Sequence, residues 1–391
     1  MINVLFNLGY FVMAFPAAMF IQRYSFKAGV MVGLALYAAG SLLFFPAQGL
    51  GAFGAFLFAY FIMACGLSFL ETSCNPFIYS MGSEETAVRR LNMAQAFNPI
   101  GALVGLFISM NYVQTKISPM TKEMRENLPL TQFNIIRDHD LEVLIQPYLF
   151  IAIVTLAMLV LIRLKKMPSQ GDEHSEKNVL TAISELLHIK NFRNGIIAQF
   201  FYVGGQVAVW TFTVQYAANV FISEGIYHTE AEMMAQKYNI LALVFFAIGR
   251  FVCTWLMKFV RPGRLLTIFG VVATIGVAGA IVFTDRNGIY CLILTSAAMS
   301  LMFPTIFGMA LRGVGQNVKF AGAGLIMAIL GGSVFSPLQA ALIDLNWSLG
   351  ELPAINISFI VPLLCFAYVA YYGHTAYMRH NVYHDYNADL R

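Results

Sequence analysis

The chain reads as an all-α polytopic membrane protein on three grounds: a high apolar share, a scarcity of charge, and division into apolar runs of membrane-spanning length. Hydrophobic residues make up 59% of the 391 positions, charged residues only 11%, and the mean hydropathy is +0.69. A soluble domain is roughly a quarter charged. So few charges cannot cover a water-facing surface, so most of the exterior must face lipid.

A bilayer core takes roughly 20 apolar residues of helix. Runs of that order fall at 1–21, 28–46, 50–81, 91–113, 145–163, 193–222, 236–258, 264–283, 289–311, 320–343 and 355–378, eleven in all. The third and sixth exceed a simple span at about 1.5 Å per residue, so they are expected to tilt or to run past the hydrocarbon. Helical periodicity decides little here, because a lipid-facing helix is apolar all round.

The connections alternate in charge. The loops at 22–27, 82–90, 164–192, 259–264 and 312–319, together with the C-terminal tail and flanking Arg163, Arg193 and Lys258, hold 17 basic residues, while the opposite side holds six. The positive-inside rule makes the first side cytoplasmic, and with it the C-terminus. The net charge of +4 is spread over these short loops and records topology, with no nucleic-acid partner indicated.

Residues 164–192 form the longest cytoplasmic connection and the only one rich in both signs. Within it Val179, Ile183, Leu186 and Leu187 make a short amphipathic stripe suited to the membrane surface. The expected organisation is an N-terminal lobe over 1–163, this linker over 164–192, a C-terminal lobe over 193–378 and a cytoplasmic tail over 379–391. Five spans before the linker and six after it depart from the equal halves of a transporter, so the expectation is an eleven-helix chain lacking one helix at its front. No signal peptide is evident. The outer loop 114–144 is assigned no chemistry.

Ionisable groups at membrane depth are costly and mark candidate sites. Glu71 lies about 16 Å along the helix from Gly82, near the bilayer midplane. It is either a proton-coupling carboxyl or a permanently neutral structural one, and the coupling role is preferred. Arg250, about 12 Å from Lys258, is expected to snorkel or to pair with a carbonyl. Asn92, Gln95 and Asn98 recur at i, i+3 and i+6 along one helix face. Asn75 stands one turn beyond Glu71, and Gln206 is followed one turn later by Trp210. Each amide alone fits an interhelical hydrogen bond equally well. Taken together with Glu71, amides and an aromatic face describe a cavity that grips a hydroxylated ligand.

Other features carry less. Trp255 and Trp347 fit interface anchors, Gly101 and Gly105 have the spacing of helix packing, and His380 and His384 lie in a polar tail without a third metal ligand. The five cysteines sit in apolar runs as expected free thiols, and no metal site is indicated. There is no HExxH, GxSxG or P-loop pattern, so no enzyme is indicated. A channel is disfavoured because no repeated ring of like charge is visible.

The stretch Gly66-Leu67-Ser68-Phe69-Leu70-Glu71-Thr72-Ser73-Cys74-Asn75-Pro76-Phe77 and then Arg90-Leu91-Asn92-Met93-Ala94-Gln95-Ala96-Phe97-Asn98 resembles the L-fucose:proton symporter family of the major facilitator superfamily. Arg23 to Gly29, Gln199 through Trp210, Phe246 to Phe251 and Pro304 to Phe307 match in the same order. The resemblance implies a major facilitator fold of twelve helices in two lobes, working by alternating access. It implies import of a hexose such as L-fucose or galactose with a proton as the coupling ion, and no other cofactor. Glu71 would couple the proton, Gln95 and Asn98 would lie on the sugar cavity with Asn75, and Gln206 and Trp210 match the fucose branch. Phe303 stands where the family has a tyrosine, so one sugar hydrogen bond is expected to be lost. Asn92 and Arg250 are read as structural polar residues. The family's first-helix Asp has no counterpart here. The alternatives are a glucose/galactose or other small-solute transporter, or an inactive truncated product. The setting implied is the inner membrane of a bacterium, with a monomer as the working unit and lipid and sugar as its partners.

Overall fold

The computed structural model describes residues 2–120, 122–168, 179–345 and 352–388, with side chains described from residue 7 to 378 apart from 122–123. Nearly all regular structure is helical. The long helices are α1 (Ile2–Arg23), α2 (Phe26–Leu50), α3 (Phe53–Ser80), α4 (Glu84–Lys116), α5 (Leu130–Leu164), the short α6 (Val179–His188), α7 (Lys190–Ser223), α8 (His228–Leu256), α9 (Pro262–Val282), α10 (Arg286–Ala310), α11 (Gly315–Asp344) and α12 (Ala354–Met378). Among the described residues ten of these, α2–α5 and α7–α12, are long and apolar enough to cross a membrane. The 22 residues of α1 carry Arg23 as their one charge and occupy the first expected span. Trp347 and residues 169–178 of the linker lie outside the described residues, as do the side chains of His380 and His384.

Backbone contacts divide the chain into two compact units, one of Met1–Cys74 with Ile100–Asp172, the other of Asn75–Pro99 with Glu173–Arg391. In the first unit, Ser25 caps α2 by accepting the Ala28 amide at 3.1 Å. Gly51 closes the same helix at φ 60°, its N–H donating to Ala47 and Gln48 carbonyls, a left-handed turn that glycine adopts without strain. The α2–α3 seam depends on Gly66. A Cβ there would lie 2.6 Å from the Tyr37 amide nitrogen and 2.8 Å from the Gly33 carbonyl oxygen, so any side chain would push the backbones apart. Lys27 donates to the Arg163 and Lys165 carbonyls at 3.1 and 2.8 Å, satisfying orphan acceptors at the end of α5.

The stretch 114–144, expected as an outer loop, is largely helical among the described residues. Helix α5 begins at Leu130, 15 residues before its apolar run, and is stabilised outside that run by polar contacts. Arg125 pairs with Asp140 at 2.6 Å, and Asp140 also accepts the Ser118 amide at 2.9 Å. A count of apolar residues cannot see a helix that leaves the hydrocarbon. Gly101 and Gly105, expected at a helix seam, have no neighbour within 4 Å of a would-be Cβ among the described residues.

In the second unit α7 runs through the core, contributing buried Tyr202, Tyr216 and Phe221 to a cluster that also holds Phe359 and Phe366 of α12. Helix α6 buries Ala182 and Leu186, and its Glu185 carboxylate accepts Asn317 Nδ2 at 2.8 Å. The end of α9 leaves carbonyls without helical partners. Tyr216 Oη donates to Ala280 O and Phe283 O, and Asn356 Nδ2 donates to the same two at 3.0 Å each. Between α7 and α10, Arg286 forks onto Glu224, with Nη2 to Oε2 at 2.7 Å. That hydrogen-bonded guanidinium holds the Glu224 carboxyl below its ordinary pKa.

Candidate functional site

Residues 75–99 supply the polar part of the site and belong to the second unit. Asn75 lies on α3, one turn after Glu71 and directly before Pro76, whose ring removes a helical N–H. It is buried, and its Oδ1 accepts from Gln95 Nε2 at 2.8 Å. Helix α4 is regular from Glu84 to Gln95, interrupted at Ala96–Phe97, and resumes at Asn98. Gln95 therefore sits at the end of a helical segment. Its carbonyl accepts Arg250 Nη1 at 2.7 Å, and its side-chain oxygen lies 3.5 Å from the same nitrogen.

Arg250 on α8 is 6% exposed, so it does not snorkel to water; it pairs with a carbonyl. Its guanidinium lies over the Phe246 ring, 5.0 Å from the centroid. Phe246 in turn meets Trp210 of α7 edge-on, with centroids 4.9 Å apart and planes at 79°. The Trp210 indole N–H is buried and has no hydrogen-bond partner among the described residues. Gln206, one turn earlier, is half-buried. Phe303 of α10 is also half-buried, stacked near Phe307 at 6.2 Å and near Tyr202 at 6.4 Å. The Tyr202 hydroxyl donates to the Met299 carbonyl at 3.1 Å.

Asn75, Gln95, Arg250, Phe246 and Trp210 thus form one connected set. The expected stripe of Asn92, Gln95 and Asn98 spans the interruption at Ala96–Phe97, and its three residues differ in burial. Asn92 is buried and donates to Val88 O at 2.9 Å and to Thr305 Oγ1 at 3.1 Å, a packing role. Asn98 lies past the interruption and is exposed. Glu71 is half-buried and falls in the first unit. Phe246 and Thr305 were not singled out by sequence reasoning, although each lies in a stretch matched to the family. The signal for Phe246 was its place one turn before the lone intramembrane arginine.

The first unit holds a separate, mostly apolar cavity of about 850 Å³, lined by residues that include Tyr37, Phe44, Tyr60, Leu67, Tyr112 and Gln146. None of the residues above lines it.

The family model described as Major Facilitator Superfamily matches residues 1–337. The chain belongs to this superfamily. It is similar to the L-fucose-proton symporter of Haemophilus influenzae, 43% identical over 383 residues covering 96% of this chain and 87% of that protein. It is 29% identical to the glucose/galactose transporter of Brucella abortus over 367 residues, 93% of this chain and 82% of that one. Among solved structures, a crystal structure of the Escherichia coli fucose:proton symporter superposes with a TM-score of 0.87 at 30% identity, covering 96% of this chain and 90% of that one. The chain is therefore a multi-pass membrane transporter of the major facilitator fold, and its similar proteins are named as transporters, not enzymes.

Proposed function

We propose that this protein imports a hexose, L-fucose or a related sugar such as galactose, together with a proton by alternating access. The observation that carries this reading is the 43% identity to an L-fucose-proton symporter across 96% of the chain. The site chemistry agrees with it. The buried indole N–H of Trp210, without a hydrogen-bond partner among the described residues, the nearby amide of Gln206 and the aromatic ring of Phe303 are groups that hold sugar hydroxyls and stack on a sugar's apolar face. In this reading Glu71 takes up the coupling proton, while Asn75, Gln95, Asn98, Gln206, Trp210 and Phe303 contact sugar. The halves of the transporter are 1–163 and 193–378, joined by 164–192 and followed by the tail 379–391. We further assign the protein to the bacterial inner membrane as a monomer with a cytoplasmic C-terminus.

The test is uptake of labelled L-fucose into proteoliposomes under an imposed inward proton gradient. With one proton per sugar, each pH unit of gradient sustains at most about tenfold accumulation. Accumulation that collapses on adding an uncoupler supports symport. Glu71→Gln is expected to abolish gradient-driven accumulation, and a variant that still concentrates sugar would remove Glu71 from coupling. A competition panel decides the substrate, since the chain is also 29% identical to a glucose/galactose transporter. If neither L-fucose nor galactose competes, the hexose assignment is wrong.

A further inference from the structure

We propose that Arg250 is a positioning residue for sugar binding, orienting Gln95 and Asn75 by hydrogen bonds and Trp210 through Phe246, without itself touching the sugar. The inference rests on the sugar reading above and assigns a mechanism to a residue that otherwise reads as structural.

The reason begins with Pro99. In a continuous helix the Gln95 carbonyl would accept the N–H of the residue four positions on. That residue is proline, which has no N–H. The carbonyl of half-buried Gln95 is thus left without its usual helical donor. Arg250 supplies the donor at 2.7 Å.

Supplying that donor fixes more than the backbone. The same Nη1 lies 3.5 Å from Gln95 Oε1, so the oxygen of the side-chain amide is drawn toward the cation and its NH2 is turned the other way. There it donates to Asn75 Oδ1 at 2.8 Å. The Asn75 oxygen is thereby committed as an acceptor, and the direction of both amides is set by one charge. Asn75 follows Glu71 by one turn in the order of the chain. The face of the guanidinium does the second task. It lies over Phe246, which holds the edge of Trp210. Arg250 consequently joins the amides and the aromatic ring proposed to receive the sugar.

The geometry uses two properties that lysine lacks, a flat π-stacking face and N–H donors fixed in a plane. Arg250→Lys keeps the charge and loses both. Arg250→Gln removes the charge as well. Sugar affinity is read by titration calorimetry on purified protein, and KM and Vmax by equilibrium counterflow, which needs no proton gradient. Both variants are expected to weaken L-fucose binding by about tenfold or more, the range for losing a hydrogen bond to a charged group. KM should rise while Vmax changes little.

Two further variants separate positioning from simple stabilisation. Pro99→Ala returns a backbone N–H to the Gln95 carbonyl, so in Pro99→Ala/Arg250→Gln the thermal stability should recover while sugar affinity stays low. Recovery of affinity as well would overturn the proposal and leave Arg250 a structural cap. In a Gln95→Ala background, replacing Arg250 should cost little further affinity beyond the aromatic contribution, and full additivity would equally overturn it. The two levels fail differently. Wild-type protein that binds neither L-fucose nor galactose would defeat the hexose reading and this inference with it. Wild type that binds L-fucose, with Arg250→Lys binding it equally well, would defeat the inference alone.

Discussion

The end of α9 gives a stability experiment whose outcome follows from counting donors. Two carbonyls, Ala280 O and Phe283 O, lack helical partners there and are served by three hydrogens, one on the Tyr216 hydroxyl and two on the Asn356 amide. Tyr216→Phe leaves two amide hydrogens for two acceptors. One net hydrogen bond is lost and no group is orphaned, for a cost of about 1 kcal/mol. Asn356→Ala leaves one hydroxyl hydrogen for two buried carbonyls. One of them is then unsatisfied, and the cost rises to roughly 2–3 kcal/mol. The double variant orphans both, so it should lose about 1 kcal/mol more than the sum of the singles. Thermal unfolding in detergent, followed by intrinsic fluorescence for all four proteins at one protein concentration, reads the order. If the two single variants are equally destabilised, or if the double equals their sum, the shared-donor account of this helix end is wrong.

Three other perturbations have definite signs. Asn92→Ala should cost only about 1 kcal/mol, because Thr305 keeps its bond to Leu301 O at 2.6 Å and the Val88 carbonyl keeps its helical partner; Asn92→Asp, which buries a carboxylate there, should be far more damaging in the same melting assay. Gly66→Ala should destabilise by roughly 1–3 kcal/mol, since its new methyl meets backbone atoms of α2 that cannot rotate away; an unchanged melting temperature would show that the α2–α3 seam opens freely. Glu224, held below its ordinary pKa by Arg286, contributes stability that is present above the unfolded value of about 4.3 and is lost as pH falls through the lower folded value. Glu224→Gln should therefore melt slightly below wild type at pH 7, and that gap should close as the pH is taken below about 4; a gap that widens in acid would reverse the sign assigned to the pair.

The spans are legible in the sequence because lipid imposes one rule, that a helix of sufficient length must be apolar, and ten stretches obey it among the described residues. The rule fails where a helix leaves the hydrocarbon. Residues 130–144 are helical yet polar, and nothing in hydropathy marks the Arg125–Asp140 pair that supports them. Charge scarcity makes Glu71 and Arg250 conspicuous from the amino-acid order alone. The partners of Arg250 are not conspicuous. Spacing places Asn92, Gln95 and Asn98 on one face of an unbroken helix, whereas this one is interrupted at Ala96–Phe97. Pro99, just past that interruption, withholds a donor from Gln95 and so makes a place for a buried cation. Both signs, a proline four positions after a glutamine and a lone arginine in an apolar helix, are plain in the sequence. Only packing shows that they answer each other, 155 positions apart along the chain, across a 2.7 Å hydrogen bond.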